Sequence, residues 1–345
     1  MPLPRRLPVI CGLAAAALTL LVPPATAAPL PSGPATVAAL GDSAISGEGA
    51  GDYEPGTRGE SGNWCHRSAH AYVHGLGVAE RSVNLACSGA RAADVAAGGP
   101  GRYGERTQPL GRQARVTAVV LQVGGNDDPA LVATGVACIR AFLDPAVPGC
   151  RDTVGPQWAT RLAAMAPKVS AAVADVRAAM RGSGYADTDY TLVLASYAPP
   201  VTERMIGVPA AQGCPYSRAD AGWARTVAFP QLSETLREVA ESSGVRFLDL
   251  SRAAEGHEAC SQVLADDEWQ RRLTVDSNAL VYGGLDALGL HLAQESFHPS
   301  AAGHAELGRC VGEFLRGDAV QAACRVGGDG HLRVTASVPP ASAAA

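Results

Sequence analysis

Lysine is almost missing from this chain. Lys168 is the one lysine, so nearly all positive charge is arginine, which reads as coding bias and not as function. Positive charge is also the minority sign: 28 basic side chains stand against 33 acidic ones, for a formal charge of −5. A nucleic-acid partner is therefore not expected, because a phosphate backbone calls for a basic face. Aromatic residues make up only 5% and form no cluster, so the stacking platforms that hold sugars have little to be built from. No Cys-x-x-Cys pair occurs, which argues against structural zinc and against a thiol redox motif. Beyond the N-terminus no apolar run approaches the roughly 20 residues of a membrane helix. No internal repeat is visible.

What is present begins with a leader. "MPLPRR" is basic, "VICGLAAAALTLLV" is apolar, and "PPATAA" offers small-x-small residues at Ala25-Thr26-Ala27. This pattern reads as a secretory signal peptide over residues 1–27. Cys11 follows Ile10, not a small residue, so a lipoprotein signal is not indicated. The mature protein is expected to be secreted, extracellular, without a stable membrane anchor, and monomeric. Loss of Arg5 and Arg6 takes its formal charge from −5 to −7. Eight cysteines remain: 65, 87, 138, 150, 214, 260, 310 and 324. An even count in an exported chain reads as four disulfides, with 105 possible pairings.

Short, continuous apolar runs alternate with helical stretches. The strand candidates are 35–40, 82–87, 117–123, 190–197 and 245–250; the helix candidates are 68–80, 158–181, 219–243 and 301–316. Continuous rather than alternating apolar strands suit a parallel sheet covered on both faces. Strand–helix alternation implies βαβ units and a doubly wound α/β fold of about five parallel strands, a three-layer α/β/α sandwich. The mature domain is read as 28–325. The Gly-rich segment 96–111 reads as a surface loop, and the tail 326–345 as partly disordered.

Ligands of such sheets bind beyond the carboxyl ends of the strands. Polar stretches fall there. Ser43 ends strand one in "AALGDSAISGEG", Ser88-Gly89 follows strand two in "LACSGA", and Asn126 follows strand three in "LQVGGNDD". His298 lies late in the chain in "ESFHPSAAGH". Each alone is a weak signal, since such turns are more often structural than catalytic. No Gly-x-Ser-x-Gly elbow surrounds Ser43. His66, His70 and His74 fall at i, i+4 and i+8, and on a helix would share a face able to hold a metal. No acidic ligand stands nearby, so a surface stripe is the preferred reading, and no metal or other cofactor is expected. Asp42 reads as a brace for its turn, Asp127 and Asp128 as solvated, and His304 as packing in the last helix.

Taken together, Gly41-Asp42-Ser43, the glycine after strand two, Gly-x-Asn-Asp after strand three and a late x-x-x-His-Pro resemble the four signature blocks of the SGNH (GDSL) hydrolases, over roughly Val37 to Leu307. "GDSAISGEG", "NWCHRSAHAY" and "FHPSAAGH" resemble secreted actinobacterial esterases and lipases of that family. The resemblance implies a flavodoxin-like fold and a serine ester hydrolase acting on a small-molecule or lipid ester. It implies Ser43 as nucleophile and His298 as base. The oxyanion donors would be the Ser43 and Gly89 N–H groups and the Asn126 amide. The family's acid stands three residues before the histidine, which here is Glu295 and not aspartate; Glu295 is expected to fill the acid role, with a backbone carbonyl orienting the histidine as the alternative. The pattern of similar lipases also implies the disulfides Cys65–Cys87, Cys138–Cys150 and Cys214–Cys260, leaving Cys310–Cys324. A carbohydrate deacetylase on the same fold, or a non-catalytic binding protein of the family, are the alternatives.

Overall fold

The computed structural model describes residues 30–95 and 114–336. The leader, the Gly-rich segment 96–111 and the end of the tail lie outside these residues. Seven strands of the described residues form one sheet in the order β2-β1-β3-β4-β5-β6-β7. They are β1 (Ala35–Gly41), β2 (Arg81–Asn84), β3 (Arg115–Gln122), β4 (Thr191–Ala195), β5 (Arg246–Asp249), β6 (Gln321–Val326) and β7 (Leu332–Ala336). All pairings are parallel except β6 with β7.

The central strands are buried on both faces, which their Val/Ala/Leu sequences anticipate. Successive side chains of β1 enter different cores: Ala38 and Leu40 one, Val37 and Ala39 the other. The first core is closed by α3 (Trp158–Gly182) and α4 (Phe229–Ser242), the second by α5 (Ala301–Arg316). Helix α3 buries Leu162, Met165, Val169, Val173, Val176 and Met180, a run of three- and four-residue steps that forms one stripe. The sandwich is therefore three-layered, as the strand–helix alternation implies, with α1 (Ser43–Ser46) and α2 (Leu131–Leu143) at the carboxyl end of the sheet.

Three differences have physical causes. The stretch expected to be helical over 68–80 holds only a 3-10 turn, Tyr72–Gly75, because Gly75 and Gly77 interrupt it and Gly77 takes φ +62°. The helix expected over 219–243 is broken by a π segment, Ala224–Ala228. Pro230, just beyond, has no N–H to give to the carbonyl four residues back, and its ring crowds that carbonyl. The sheet runs past the boundary expected at 325, because β7 pairs antiparallel with β6 from Leu332 to Ala336. The alternation of "HLRVTA" suits such a half-buried edge strand. The disulfides join Cys65 to Cys87, Cys138 to Cys150, Cys214 to Cys260 and Cys310 to Cys324.

Candidate active site

Strand β1 ends at Gly41, whose φ is +137°. A Cβ there would lie 1.9 Å from the Gln122 carbonyl oxygen, so only glycine lets β1 pass β3 this closely. The chain then turns into α1. Asp42 is its N-cap, and its carboxylate accepts from the Ala44 N–H at 3.1 Å. The Tyr197 hydroxyl donates to the other carboxylate oxygen at 2.6 Å and accepts from the Gly125 N–H at 3.0 Å. Burial pushes the Asp42 carboxyl up to about 7, against those two hydrogen bonds. Asp42 thus braces the turn, and Tyr197 ties that turn to the one carrying Asn126.

The turn presents Ser43. Its hydroxyl lies 2.8 Å from His298 Nε2, across 255 residues of sequence. His298 Nδ1 in turn faces the Ser296 carbonyl at 3.1 Å. Burial holds the imidazole below its ordinary value, partly opposed by the Glu48 carboxylate and by backbone carbonyls.

Gly89 sits at φ +81°, in the left-handed region that favours glycine. Among the described residues neither the Ser43 N–H nor the Gly89 N–H has a protein acceptor. The Asn126 amide donates one hydrogen bond, to the Ala90 carbonyl at 3.1 Å. The arrangement offers a hydroxyl facing a neutral imidazole, with backbone and amide donors beside it.

Glu295 departs from its expected role. Its carboxylate accepts from the Tyr53 hydroxyl at 2.8 Å and pairs with the Arg271 guanidinium at 3.2 Å. The nitrogen it would have served is taken by the Ser296 carbonyl. Two better donors hold Glu295, so the position three residues before the histidine carries a carboxylate that points elsewhere.

The three N-terminal histidines share no helix face. His66 is 2% exposed, takes φ +46°, and sits 2.8 Å from Glu48. His74 meets Ser82, and His70 is exposed near Asp52. Asp127 is less solvated than expected, since it accepts from the Ala92 N–H at 2.9 Å, and Asp128 pairs with Lys168. His304 is fully buried on α5, where its Nδ1 accepts from the Tyr72 N–H.

Three participants escape a reading by sequence. The Ser296 carbonyl carries no side-chain signal. Tyr197 stands at the end of β4, where its place at the carboxyl edge was a usable clue. Glu48 lies in a glycine-rich stretch, and its partners come from distant parts of the chain.

Beside Ser43 opens a cavity of about 450 Å³. Its walls are largely apolar, from Leu131, Val136 and Ile139 of α2 to Trp223, Phe229 and Leu273.

Comparison with known proteins gives consistent results. The model of the GDSL-like Lipase/Acylhydrolase family matches residues 39–306. Lipase 2 of Streptomyces coelicolor is 28% identical over 228 residues, covering 64% of this chain and 72% of that protein. The crystal structure of phospholipase A1 from Streptomyces albidoflavus NA297 superposes with a TM-score of 0.54 at 22% identity, covering 79% of this chain and 95% of that one.

Proposed function

Because the chain belongs to the GDSL-like lipase and acylhydrolase family, and so hydrolyses ester bonds, we propose that Ser43 attacks the ester carbonyl with His298 as its base. The observation that carries this reading is the 2.8 Å contact between Ser43 Oγ and His298 Nε2. A serine hydroxyl is a weak nucleophile until a neighbouring base removes its proton. The Ser296 carbonyl supports that task, since accepting from Nδ1–H fixes the tautomer whose Nε2 lone pair faces Ser43. The tetrahedral oxyanion would rest on the Ser43 and Gly89 N–H groups and the second hydrogen of the Asn126 amide. His298 then returns the proton to the leaving alcohol, and an activated water releases the acyl group from Ser43.

The apolar cavity supports an acyl chain of medium or long length as the group transferred to water. Four disulfides support work in an oxidising, extracellular setting. The test is a hydrolysis profile across acyl esters of increasing length, with phospholipids and acetylated sugars included. Activity should rise well beyond acetate. A profile peaking on acetate, with acetylated sugars preferred, would assign a deacetylase instead.

Two expectations follow from the geometry. His298 must be neutral to act as base, and its pKa lies below the ordinary 6.5. The fall of kcat/KM on the acid side should accordingly be centred below pH 6.5, and a midpoint above that value would contradict the desolvated imidazole. Glu295→Gln should keep kcat/KM within a factor of a few from pH 6 to 9, because that carboxylate serves Tyr53 and Arg271. A loss of several orders of magnitude would return Glu295 to the triad.

A further inference from the structure

Glu48 is completely buried, yet it is ionisable and surrounded by polar groups. Its carboxylate receives the His66 imidazole at 2.8 Å, the Gln294 side-chain amide at 2.7 Å, the Ser88 hydroxyl and, more loosely, the Tyr53 hydroxyl at 3.4 Å. These partners come from separate parts of the site. Glu48 itself lies on the segment that leaves Ser43. Ser88 precedes Gly89. Gln294 opens the segment that ends in His298, and its amide also donates to the Trp64 carbonyl at 3.0 Å. Resting on the assignment of Ser43 and His298 above, we propose that Glu48 is the positioning residue of this hydrolase: one buried carboxylate joins the nucleophile turn, the oxyanion loop and the base loop, and supplies the negative charge that a triad acid would otherwise provide.

The charge must persist for this role. Burial pushes the Glu48 carboxyl up, but the His66 imidazolium and the hydrogen bonds from His66 and Ser88 outweigh it and hold the group at about 2. His66 is raised in turn, burial being outweighed by Glu48. Other titratable groups around His298 and this pair are Glu295, Arg271, Asp276 and His304. Glu295 pairs with Arg271, yet both it and Asp276 raise His66. His304 is held neutral by burial, its pKa near 3. Glu48 raises the proton affinity of His298 and His66 lowers it, with Glu48 the stronger. A charge acting at this remove stabilises the imidazolium formed as Ser43 attacks, although it does not touch the ring.

The test compares kcat, KM and the pH dependence of kcat/KM on a soluble ester for the full chain and its Glu48→Gln, His66→Gln and Ser43→Ala variants. Glu48→Gln keeps the shape and removes the charge. It should lower kcat by more than about tenfold, short of the roughly 10⁴ lost when a directly bonded triad carboxylate is neutralised. KM should change little, and the acid limb should move to lower pH. His66→Gln removes the cation that keeps the buried Glu48 ionised, so it should lower kcat and move the limb the same way, a shift that a purely structural role would not produce. A folded Glu48→Gln enzyme with unchanged kcat and an unmoved limb overturns the proposal. If Glu48→Gln fails to fold, His66→Gln decides: an unchanged kcat with a limb that stays in place or moves up overturns it. Ser43→Ala separates the levels. If that variant is active, the nucleophile assignment itself is wrong. If it is inactive while Glu48→Gln behaves as wild type, only the role of Glu48 fails.

Discussion

Replacing Ser43 by alanine is expected to end ester hydrolysis and leave the fold in place. The change removes one oxygen whose side-chain hydrogen bond is to His298. The turn around it does not depend on that oxygen: Asp42 caps α1, Tyr197 holds Asp42, and Gly41 passes β3 regardless of residue 43. Loss of such a nucleophile costs on the order of 10⁶ in kcat, the remainder coming from binding and oxyanion donors. A serine-directed phosphonate should label the parent protein at residue 43 and leave the alanine variant unmodified. Unaltered circular dichroism and melting temperature would show that the loss is chemical. Near-normal turnover by Ser43→Ala would place the nucleophile elsewhere.

The second large effect is expected at Asn126. A side-chain amide has two N–H hydrogens. One is committed to the Ala90 carbonyl at 3.1 Å, which fixes the plane of the amide; in the proposed mechanism the other is left for the developing oxyanion. Removal of one oxyanion donor typically costs about 10²–10³ in kcat. Asn126→Ala should therefore lower kcat by that factor and move KM little, since the donor binds the transition state more tightly than the substrate. The hydrogen bond to Ala90 also has structural value, so a modest drop in melting temperature is expected alongside. A large drop in stability with kcat unchanged would make Asn126 a turn residue only.

Much of the architecture was legible because periodicity and burial agree. The β1 and β3 sequences are apolar at nearly every position, as strands covered on both faces must be, and α5 runs from Ala301 to Arg316 as its cap and spacing suggest. Helix α2 escaped notice because it starts from Ala130 in a left-handed conformation, with no capping side chain to mark it. Strand β7 was hidden beside a low-complexity tail. In the site, Ser43, Gly89 and Asn126 sit in short motifs beyond strand ends and His298 in one just before the last helix, and the fold brings them to one cavity. The arrangement behind them was not legible, since it depends on contacts distant in sequence. Gln294 lies 246 residues from Glu48, and Tyr53 lies 242 from Glu295. Spacing alone put a carboxylate beside His298, but the competing pull of Tyr53 and Arg271 can be seen only once the chain is folded.

The four disulfides each join cysteines that are neighbours in the cysteine order, and they close segments of 12 to 46 residues that neither nest nor cross. The contact between Ser43 and His298 spans 255 residues and lies within no covalent ring. Oxidation can therefore be complete, with every thiol correctly matched, in a chain whose two halves have not yet met. The thiol count and the onset of turnover become separate clocks during maturation. The first runs on local encounters and the second on long-range docking of the carboxyl-terminal third against the first strand, the slower kind of event because loop closure must precede its reward. A chain built this way can be fully cross-linked before it is able to cut anything.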